Sequence, residues 1–467
     1  MTGLVLESST TSAKAMIYDT ETGRVEVRTA PFVFTNGDAA MQDAESVFEQ
    51  TAALGRQVCE GRRVDVISLS GTWHSVMLLD RGLSPVTPVY QWPYTGAEAL
   101  CAELRHDAEL TGWFYRRTGC MISAIYPAFK LVHLARQGYD LARHCAMGQG
   151  TYNFYRLTGQ FAETACMASG TGLLSIHTRD YGDEVLQFVG VGRESLPRLK
   201  GFGDVQPLSE AGAAALELPA GIPVAPCGAD GGLNQTGAGA DRPGIMTFSA
   251  GTSGALRLAV EQPVLADDRS LWCYLSPASW LAGAATSGCC NCVDWARQRL
   301  FGGASYDDIE KGLPRGPEDT PVFLPFLFGE RCPGWNAARQ AEFSGVTARH
   351  DAHDLYHGVL EGVLYNLFQC YQKICATVGT PREIRLSGGI LHSAYWTQMA
   401  ADIFGAPMVC ADMPHASLMG AAMLGAQALG EKFDFKAQAG KVVYPRPEMT
   451  ARYAGKYARY LEAYERG

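Results

Sequence analysis

Two stretches of small and hydroxyl-bearing residues stand half a chain apart, each following an apolar run. The first is Leu4-Val5-Leu6-Glu7-Ser8-Ser9-Thr10-Thr11-Ser12-Ala13-Lys14. The second is Ile245-Met246-Thr247-Phe248-Ser249-Ala250-Gly251-Thr252-Ser253-Gly254. A turn of Gly, Ser and Thr exposes backbone N–H groups and hydroxyls at its tip, a concave site for an anion such as phosphate. Two such turns facing each other could grip one polyphosphate, which is the chemistry of a nucleotide-dependent phosphotransferase. Just upstream of the second turn, Cys227-Gly228-Ala229-Asp230-Gly231-Gly232 sets one carboxylate among small residues, at the end of an apolar run Ile222 to Ala225. Phosphoryl transfer needs a carboxylate to take the acceptor hydroxyl's proton while phosphates and Mg²⁺ are held in line. The competing role for such an aspartate is a helix N-cap. Its place beside Gly251-Thr252-Ser253 favours the base.

Other motifs are weaker taken singly. Ser387-Gly388-Gly389 after a strand lets a planar group approach the backbone closely, and a helix-entry turn is an equal reading. Gly71-Thr72-Trp73-His74-Ser75 stands at a strand end, where a loop could face a substrate; a structural hydrogen bond is the commoner role for a single histidine there. Gly329-Glu330-Arg331-Cys332-Pro333-Gly334-Trp335 reads as a surface loop with a local Glu–Arg pair. No Gly-x-x-x-x-Gly-Lys-Ser/Thr loop and no Gly-x-Gly-x-x-Gly is present, so the common P-loop and the dinucleotide fingerprint are excluded. The chain has 14 cysteines without paired spacing. Cys289-Cys290-Asn291-Cys292 contains a single C-x-x-C and lacks the second pair that zinc needs, so reduced, buried thiols are expected.

The elements that must position these residues repeat. Aligning Thr11-Ser12 with Thr252-Ser253 gives 252 − 11 = 241 residues, about half of the 467. In each copy an apolar strand, a turn and a second strand read as a β-hairpin. In the first half follow a helix from Ala44 to Cys59, strands at Val64 to Ser70 and Val76 to Asp80, and helices near Glu98 to Leu110 and Ala128 to Gln137. In the second half follow a long helix Tyr356 to Val378, a strand Ile384 to Ser387 and a helix Ala394 to Phe404. Ser417 to Gly430, rich in Ala and Gly, reads as a tightly packed buried helix. The last helix places Tyr453, Tyr457, Tyr460 and Tyr464 on one face, a docking face. Strands alternating with helices mean an α/β architecture. The length implies two domains, set at 1–243 and 244–467 and packed directly with a cleft between them. A net charge of −9 argues against a nucleic-acid surface. No run is long and apolar enough for a membrane span, and no secretory signal is visible, so a cytoplasmic location is expected. Nothing in the sequence fixes the oligomeric state, and a homodimer stays open.

Together these motifs resemble the FGGY carbohydrate kinases, a branch of the actin-like sugar kinase/ribonuclease H-like fold. The resemblance runs in order over nearly the whole chain. Thr10-Thr11-Ser12 resembles the first phosphate loop and Gly251-Thr252-Ser253 the second. Asp230 matches the catalytic base. Ser387-Gly388-Gly389 with Ser393, Trp396, Gln398 and Ala401-Asp402 is similar to the adenosine motif. Ala341 to Val346, Asp354-Leu355 and Leu360-Glu361-Gly362 resemble the C-terminal signature. Trp73-His74-Ser75, Gly254-Ala255-Leu256-Arg257 and Glu361 to Leu367 are similar to the gluconate kinase subgroup. There are departures. Glu7 and Ser9 stand where the first loop usually has Asp and Gly, and a serine there should strain the turn. Trp92 is kept, but Tyr94 and Gly96 replace a sugar-binding Asp-x-Arg, Gln340-Ala341 replaces Arg-Gly, and His133 replaces a tryptophan after Lys130.

The resemblance implies two actin-like domains that close over ATP and a sugar, polyol or gluconate-like aldonate and phosphorylate one of its hydroxyls. It implies Asp230 as catalytic base and Mg²⁺ near Glu7 and Asp230. Thr10, Thr11, Ser12, Gly251, Thr252 and Ser253 would hold phosphates, and Gly388, Gly389 and Ser393 the adenosine. Trp73, His74, Tyr94 and Asp230 would line the acceptor site, with Gly96 leaving space beside Tyr94. Two rival readings follow from the departures: an impaired relative that only binds nucleotide or sugar, and a kinase whose substrate is not a sugar. Retention of Asp230 with Gly251-Thr252 weighs against the first.

Overall fold

The computed structural model describes residues 1–34, 37–313, 316, 320–410, 415–433 and 440–466. The elements that position the site are, in chain order, β1 (Thr2–Ser8), β2 (Ser12–Asp19), β3 (Val25–Pro31), α1 (Ala44–Cys59), β4 (Val66–Gly71), α2 (Pro127–Arg136), β5 (Gly228–Ala229) and α3 (Asp230–Gly237). They continue with β6 (Ile245–Ala250), β7 (Gly254–Val260), α4 (Cys290–Phe301), α5 (Ala352–Val378), β8 (Glu383–Gly388), α6 (Ala394–Phe404), β9 (Met408–Cys410), α7 (Ala416–Ala428) and α8 (Pro447–Arg466). The chain forms two compact units. One comprises Met1–Asp241, Cys273–Trp280 and His415–Lys436; the other comprises Arg242–Trp272, Leu281–Pro414 and Ala437–Gly467.

In the first unit β3, β2, β1 and β4 are successive neighbours. β1 and β2 are antiparallel, while β1 and β4, and β4 and β5, are parallel. Interior strands flanked on both sides read as continuous apolar runs, and Leu4, Val5, Leu6, Val66 and Ile67 are all buried. α1 starts at Asp43, whose side chain accepts the Ser46 N–H, and buries Val47, Phe48, Ala52 and Val58. α7 is buried as its Ala and Gly content requires: Leu418, Ala421, Ala422 and Ala426 join Val5, Met16, Tyr18 and Val66 in one core cluster.

The second unit repeats the plan. β6 and β7 form an antiparallel hairpin, and β8 lies parallel to β6. The return strands of the two hairpins stand 241 positions apart (Ala13, Gly254), but the leading strands stand 242 apart (Ser8, Ala250). The first turn therefore holds one residue more than the second. α5 opens with a reciprocal capping box between Asp351 and Asp354. α8 docks through its tyrosines as expected, with Tyr453, Tyr457 and Tyr460 buried.

Two expectations are corrected. The helix near Glu98 to Leu110 is broken: Glu98–Arg105 ends, and Asp107 caps a new helix Ala108–Thr118 by accepting the Glu109 and Leu110 N–H groups. An aspartate that can cap competes with continuing the helix. The Glu330 segment is not a surface loop. Glu330 is buried and pairs with Arg339 at 3.0 Å, not with its neighbour Arg331, and Tyr464 Oη donates to it at 2.6 Å.

Candidate active site

Glu7 faces Lys14 across the β1–β2 hairpin and Ser70 across the parallel β1–β4 pair. Lys14 Nζ lies 2.5 Å from Glu7 Oε1, and Ser70 Oγ donates to Oε2 at 2.8 Å. Ser417 Oγ, from the first turn of α7, donates to the same Oε2. The Glu7 side chain is 2% exposed. Burial pushes its pKa up, but the Lys14 charge and the hydrogen bonds from Lys14, Ser417 and Ser70 outweigh this and hold it below the usual glutamate value. Burial likewise pulls Lys14 down, but the Glu7 charge and hydrogen bond, with the Asp230 charge behind them, raise it overall. The carboxylate is thus ionised, buried and held by three donors.

The turn that follows is built by Ser9. Its N–H donates to the Ser12 carbonyl at 3.0 Å and its hydroxyl donates there at 2.8 Å. Ser9 is not among the residues with positive φ, so the strain expected from losing glycine does not arise. The serine closes the longer turn with its own side chain. Trp92 Nε1 donates to Thr10 Oγ1 at 2.9 Å, and Gln42 Nε2 to the Thr10 carbonyl at 2.7 Å. Thr11 is exposed at the tip and Ser12 is half-buried.

β4 lies between β1 and β5. Gly71 pairs with Ser8 on one side and with Ala229 on the other. Three parallel strands therefore end side by side, and Glu7, the Thr72–His74 turn and Asp230 leave one edge. The carboxyl ends of such strands are where open α/β sheets bind ligands. Asp230 is half-buried and is the first residue of α3, one position inside the Ala229 cap, so the simple N-cap alternative does not hold. Its Oδ1 accepts the Gly231 N–H at 2.7 Å. The helix dipole favours an anion at this position. α3 and α7 meet backbone to backbone: a Cβ on Gly237 would overlap the Ala416 carbonyl, and one on Gly420 the Leu233 carbonyl. This contact brings Ser417 to Glu7.

In the turn after β4 His74 takes a left-handed conformation with φ 66°, and its Nδ1 lies 2.6 Å from the Gly170 carbonyl, which fixes the proton on Nδ1. Its ring meets Tyr126 and Tyr274 edge-on at 5.3 and 5.4 Å, and those two hydroxyls are 2.7 Å apart. Trp73 is buried, donates to the Cys166 carbonyl at 2.8 Å and backs the His74 ring. Tyr94 stacks obliquely on Tyr90, with centroids 4.6 Å apart, and lies 6.3 Å from His133. Gly96 does not open space as expected: the Tyr94 phenol folds over it, where a Cβ would stand. Fully buried Lys130 ties these segments together. Its Nζ donates to the carbonyls of His74 at 2.7 Å, Gln91 at 2.9 Å and Ile125 at 3.0 Å.

In the second unit Gly251-Thr252-Ser253 forms the β6–β7 turn, closed by Gly251 N–H donating to the Ser253 carbonyl at 3.2 Å. The first N–H groups of α4 take up this turn's carbonyls: Cys290 N–H donates to Gly251 at 2.9 Å and Asn291 N–H to Thr252 at 3.3 Å. Gly388 pairs with Ala250 and has φ 98°, so Gly388 and Gly389 stand directly beside the Gly251-Thr252-Ser253 turn. Ser393 caps α6 by accepting the Trp396 N–H at 2.9 Å. Trp396 is buried and donates to the Leu360 carbonyl at 3.1 Å, and Asp402 is held by Arg446 at 2.6 Å. These motif residues secure α6.

Sequence reasoning missed Lys14, Ser70 and Ser417 as partners of Glu7. The hairpin register would have paired Lys14 with Glu7. Ser417 is 410 positions away from Glu7 and carried no signal.

This arrangement is that of a sugar kinase of the actin-like ATPase class. The FGGY family of carbohydrate kinases matches through its N-terminal domain over residues 3–237 and its C-terminal domain over residues 246–429. The chain belongs to this family. It is a kinase that transfers a phosphoryl group from ATP to a carbohydrate hydroxyl. It is 28% identical over 459 residues to a gluconokinase of Bacillus subtilis (strain 168), covering 93% of this chain and 89% of that one. It is 28% identical over 375 residues to a xylulose kinase of Escherichia coli (strain K12), covering 78% and 76%. The crystal structure of a ligand-bound xylulose kinase from Lactobacillus acidophilus superposes with a TM-score of 0.92 at 26% identity, covering 99% and 97%. That of a gluconate kinase from the same organism gives 0.90 at 25% identity, covering 99% and 97%. Among the described residues no helix is long and apolar enough to cross a membrane.

Proposed function

We propose that residues 1–243 supply the acceptor site, the first phosphate turn and the catalytic base, and residues 244–467 the second phosphate turn and the adenosine site, in a cytoplasmic kinase. The observation that carries this reading is the shared edge of β1, β4 and β5, where Glu7, His74 and Asp230 emerge together. Asp230 takes the proton from the acceptor hydroxyl. Thr10, Thr11 and Ser12, and Gly251, Thr252 and Ser253, hold the phosphates through hydroxyls and N–H groups; Gly388 and Gly389 flank the adenine, with Ser393 supporting the turn. His74 and Tyr94 line the acceptor, with Trp73 behind.

Mg²⁺ fits this donor set. The ion keeps several waters and needs one or two carboxylates plus substrate phosphates. Among the described residues no group of three or more His, Cys, Asp or Glu side chains forms a separate metal cage. Asp230 and Glu7 would hold the ion, Glu7 through water because its oxygens already accept three donors. The metal would neutralise phosphate charge.

The acceptor is a sugar, polyol or aldonate. The gluconokinase relatives speak for an aldonate-like chain, whereas Tyr94 and Gly96 lack the charges that would hold a free carboxylate. A ketose, polyol or modified aldonate fits better than D-gluconate. The test is an ADP-release screen of the purified protein with MgATP over sugars, polyols and aldonates. Acceptor-dependent release with at least one compound is expected, and release with none overturns the reading.

A further inference from the structure

The carboxylate of Glu7 is gripped from two directions. Lys14 and Ser70 belong to strands paired with β1 and pull along the sheet. Ser417 comes from outside the sheet, from the first turn of α7, and donates to the Oε2 that Ser70 already holds. A glutamate side chain has one more rotatable bond than aspartate, so its carboxylate is fixed only where several donors converge. α7 is itself fixed, because Gly237 and Gly420 let its backbone touch that of α3. The first residue of α3 is Asp230. One helix pair thus sets the position of both carboxylates.

We propose that Ser417 is a positioning residue for phosphoryl transfer: its hydroxyl holds Glu7 Oε2 and registers that carboxylate against Asp230 through the α7–α3 contact. This rests on the reading of Glu7 and Asp230 given above. The contact its hydroxyl makes is with Glu7 Oε2. It acts through Glu7, and its contribution exists only for a carboxylate of glutamate length.

The test compares Ser417→Ala, Ser417→Thr, Glu7→Asp and the double variant Glu7→Asp/Ser417→Ala. Ser417→Ala is expected to lower kcat roughly tenfold, the scale on which second-layer partners act, with the acceptor KM unchanged. Ser417→Thr, which keeps the hydroxyl, should recover most of the loss. In the Glu7→Asp background Ser417→Ala should cause no further loss, because the shorter side chain no longer reaches the serine. Calorimetry supplies a readout without turnover: Ser417→Ala should weaken MgATP binding while binding of ATP without metal stays as in the parent protein. Additive effects of Ser417→Ala and Glu7→Asp, or equal weakening with and without metal, would mean that the serine supports only the fold, and the proposal falls. If Glu7→Gln turns over like the parent protein, the role given to Glu7 is what fails. If Glu7→Gln is inactive while Ser417→Ala is fully active, the positioning role alone fails.

Discussion

Lys14 stands opposite Glu7 in the hairpin register, with its ammonium 2.5 Å from a carboxylate that is 2% exposed. An opposite-charge cross-strand pair on a sheet surface is worth little. Here one partner is buried, so removing the other leaves an uncompensated charge. Lys14→Met is expected to destabilise the chain by about 3 kcal/mol. The pH dependence has a definite sign. The folded pKa of Glu7 lies below its unfolded value of about 4.3, so the unfolded chain binds more protons in that window. The pair's stabilisation is complete above the unfolded value and is lost as pH falls through the folded one. In Lys14→Met burial is less opposed, and this acid-side loss should shrink. Urea midpoints of parent and variant from about pH 3 to pH 7 measure both effects; parallel curves would show that the pair does not govern acid stability.

Asp230 leaves the end of β5 at the N-terminus of α3, where its charge helps raise the Lys14 pKa, at the edge shared with Glu7. Asp230→Asn keeps the size and the acceptor for the Gly231 N–H but removes the carboxylate proposed as the base. Turnover should fall at least ~100-fold, the scale of losing a positioned general base, while nucleotide affinity stays near that of the parent. Single-turnover rates and ATP titrations on the purified variant separate the two. Turnover close to the parent's would remove Asp230 from the mechanism.

Lys130 buries its Nζ, and among the described residues none of its hydrogen bonds goes to a carboxylate. Its acceptors are backbone carbonyls of three segments, those of His74, of Tyr90 and Gln91, and of Ile125. Burial drives its pKa well below the usual lysine value. Those segments carry His74, Tyr94 and Tyr126, so one side chain holds in place the residues proposed to form the acceptor side. Lys130→Met removes the donors and strands the carbonyls. The acceptor KM should rise roughly tenfold or more through misplaced contacts, while the ATP KM is little changed. Steady-state kinetics with each substrate varied decides it; an equal rise in both constants would mean general loosening.

Much of this was legible in the sequence. α1 and α6 begin and end where Ala44, Cys59, Ala394 and Phe404 were read, because apolar periodicity and caps are local signals. The hairpins were legible because their turns are short and made of Gly, Ser and Thr. Three things were not. The extra residue in the first turn is a matter of strand register, and a single turn sequence does not record register. The kinship of the Thr72–His74 turn and the Gly388–Gly389 turn is topological: each follows the strand lying parallel to the leading strand of its hairpin. The Glu7–Ser417 contact joins residues from the two ends of the chain, and no local pattern marks it.

The final prediction concerns the acceptor. Tyr94 and Gly96 are one structural unit, since the phenol of the first lies over the Cα of the second. An Asp-x-Arg pair there would hold hydroxyls by charge-assisted hydrogen bonds, and the arginine could take a carboxylate bidentately. Tyr94 instead offers a ring face and one hydroxyl, with its phenol pKa raised by burial, so it stays neutral at physiological pH. D-Gluconate should therefore be a poor substrate, and a ketose, polyol or modified aldonate should exceed it in kcat/KM by roughly 100-fold or more, as when a site lacks the partner for a substrate's polar group. The two positions must also change together. Gly96→Arg alone has to displace the phenol and should lose activity with every acceptor. Tyr94→Asp/Gly96→Arg vacates that place and should shift preference toward gluconate. The measurement is kcat/KM across the acceptor panel for the parent protein and both variants. If D-gluconate outperforms every other acceptor with the parent protein, groups elsewhere bind its carboxylate and this account of the Tyr94–Gly96 unit fails.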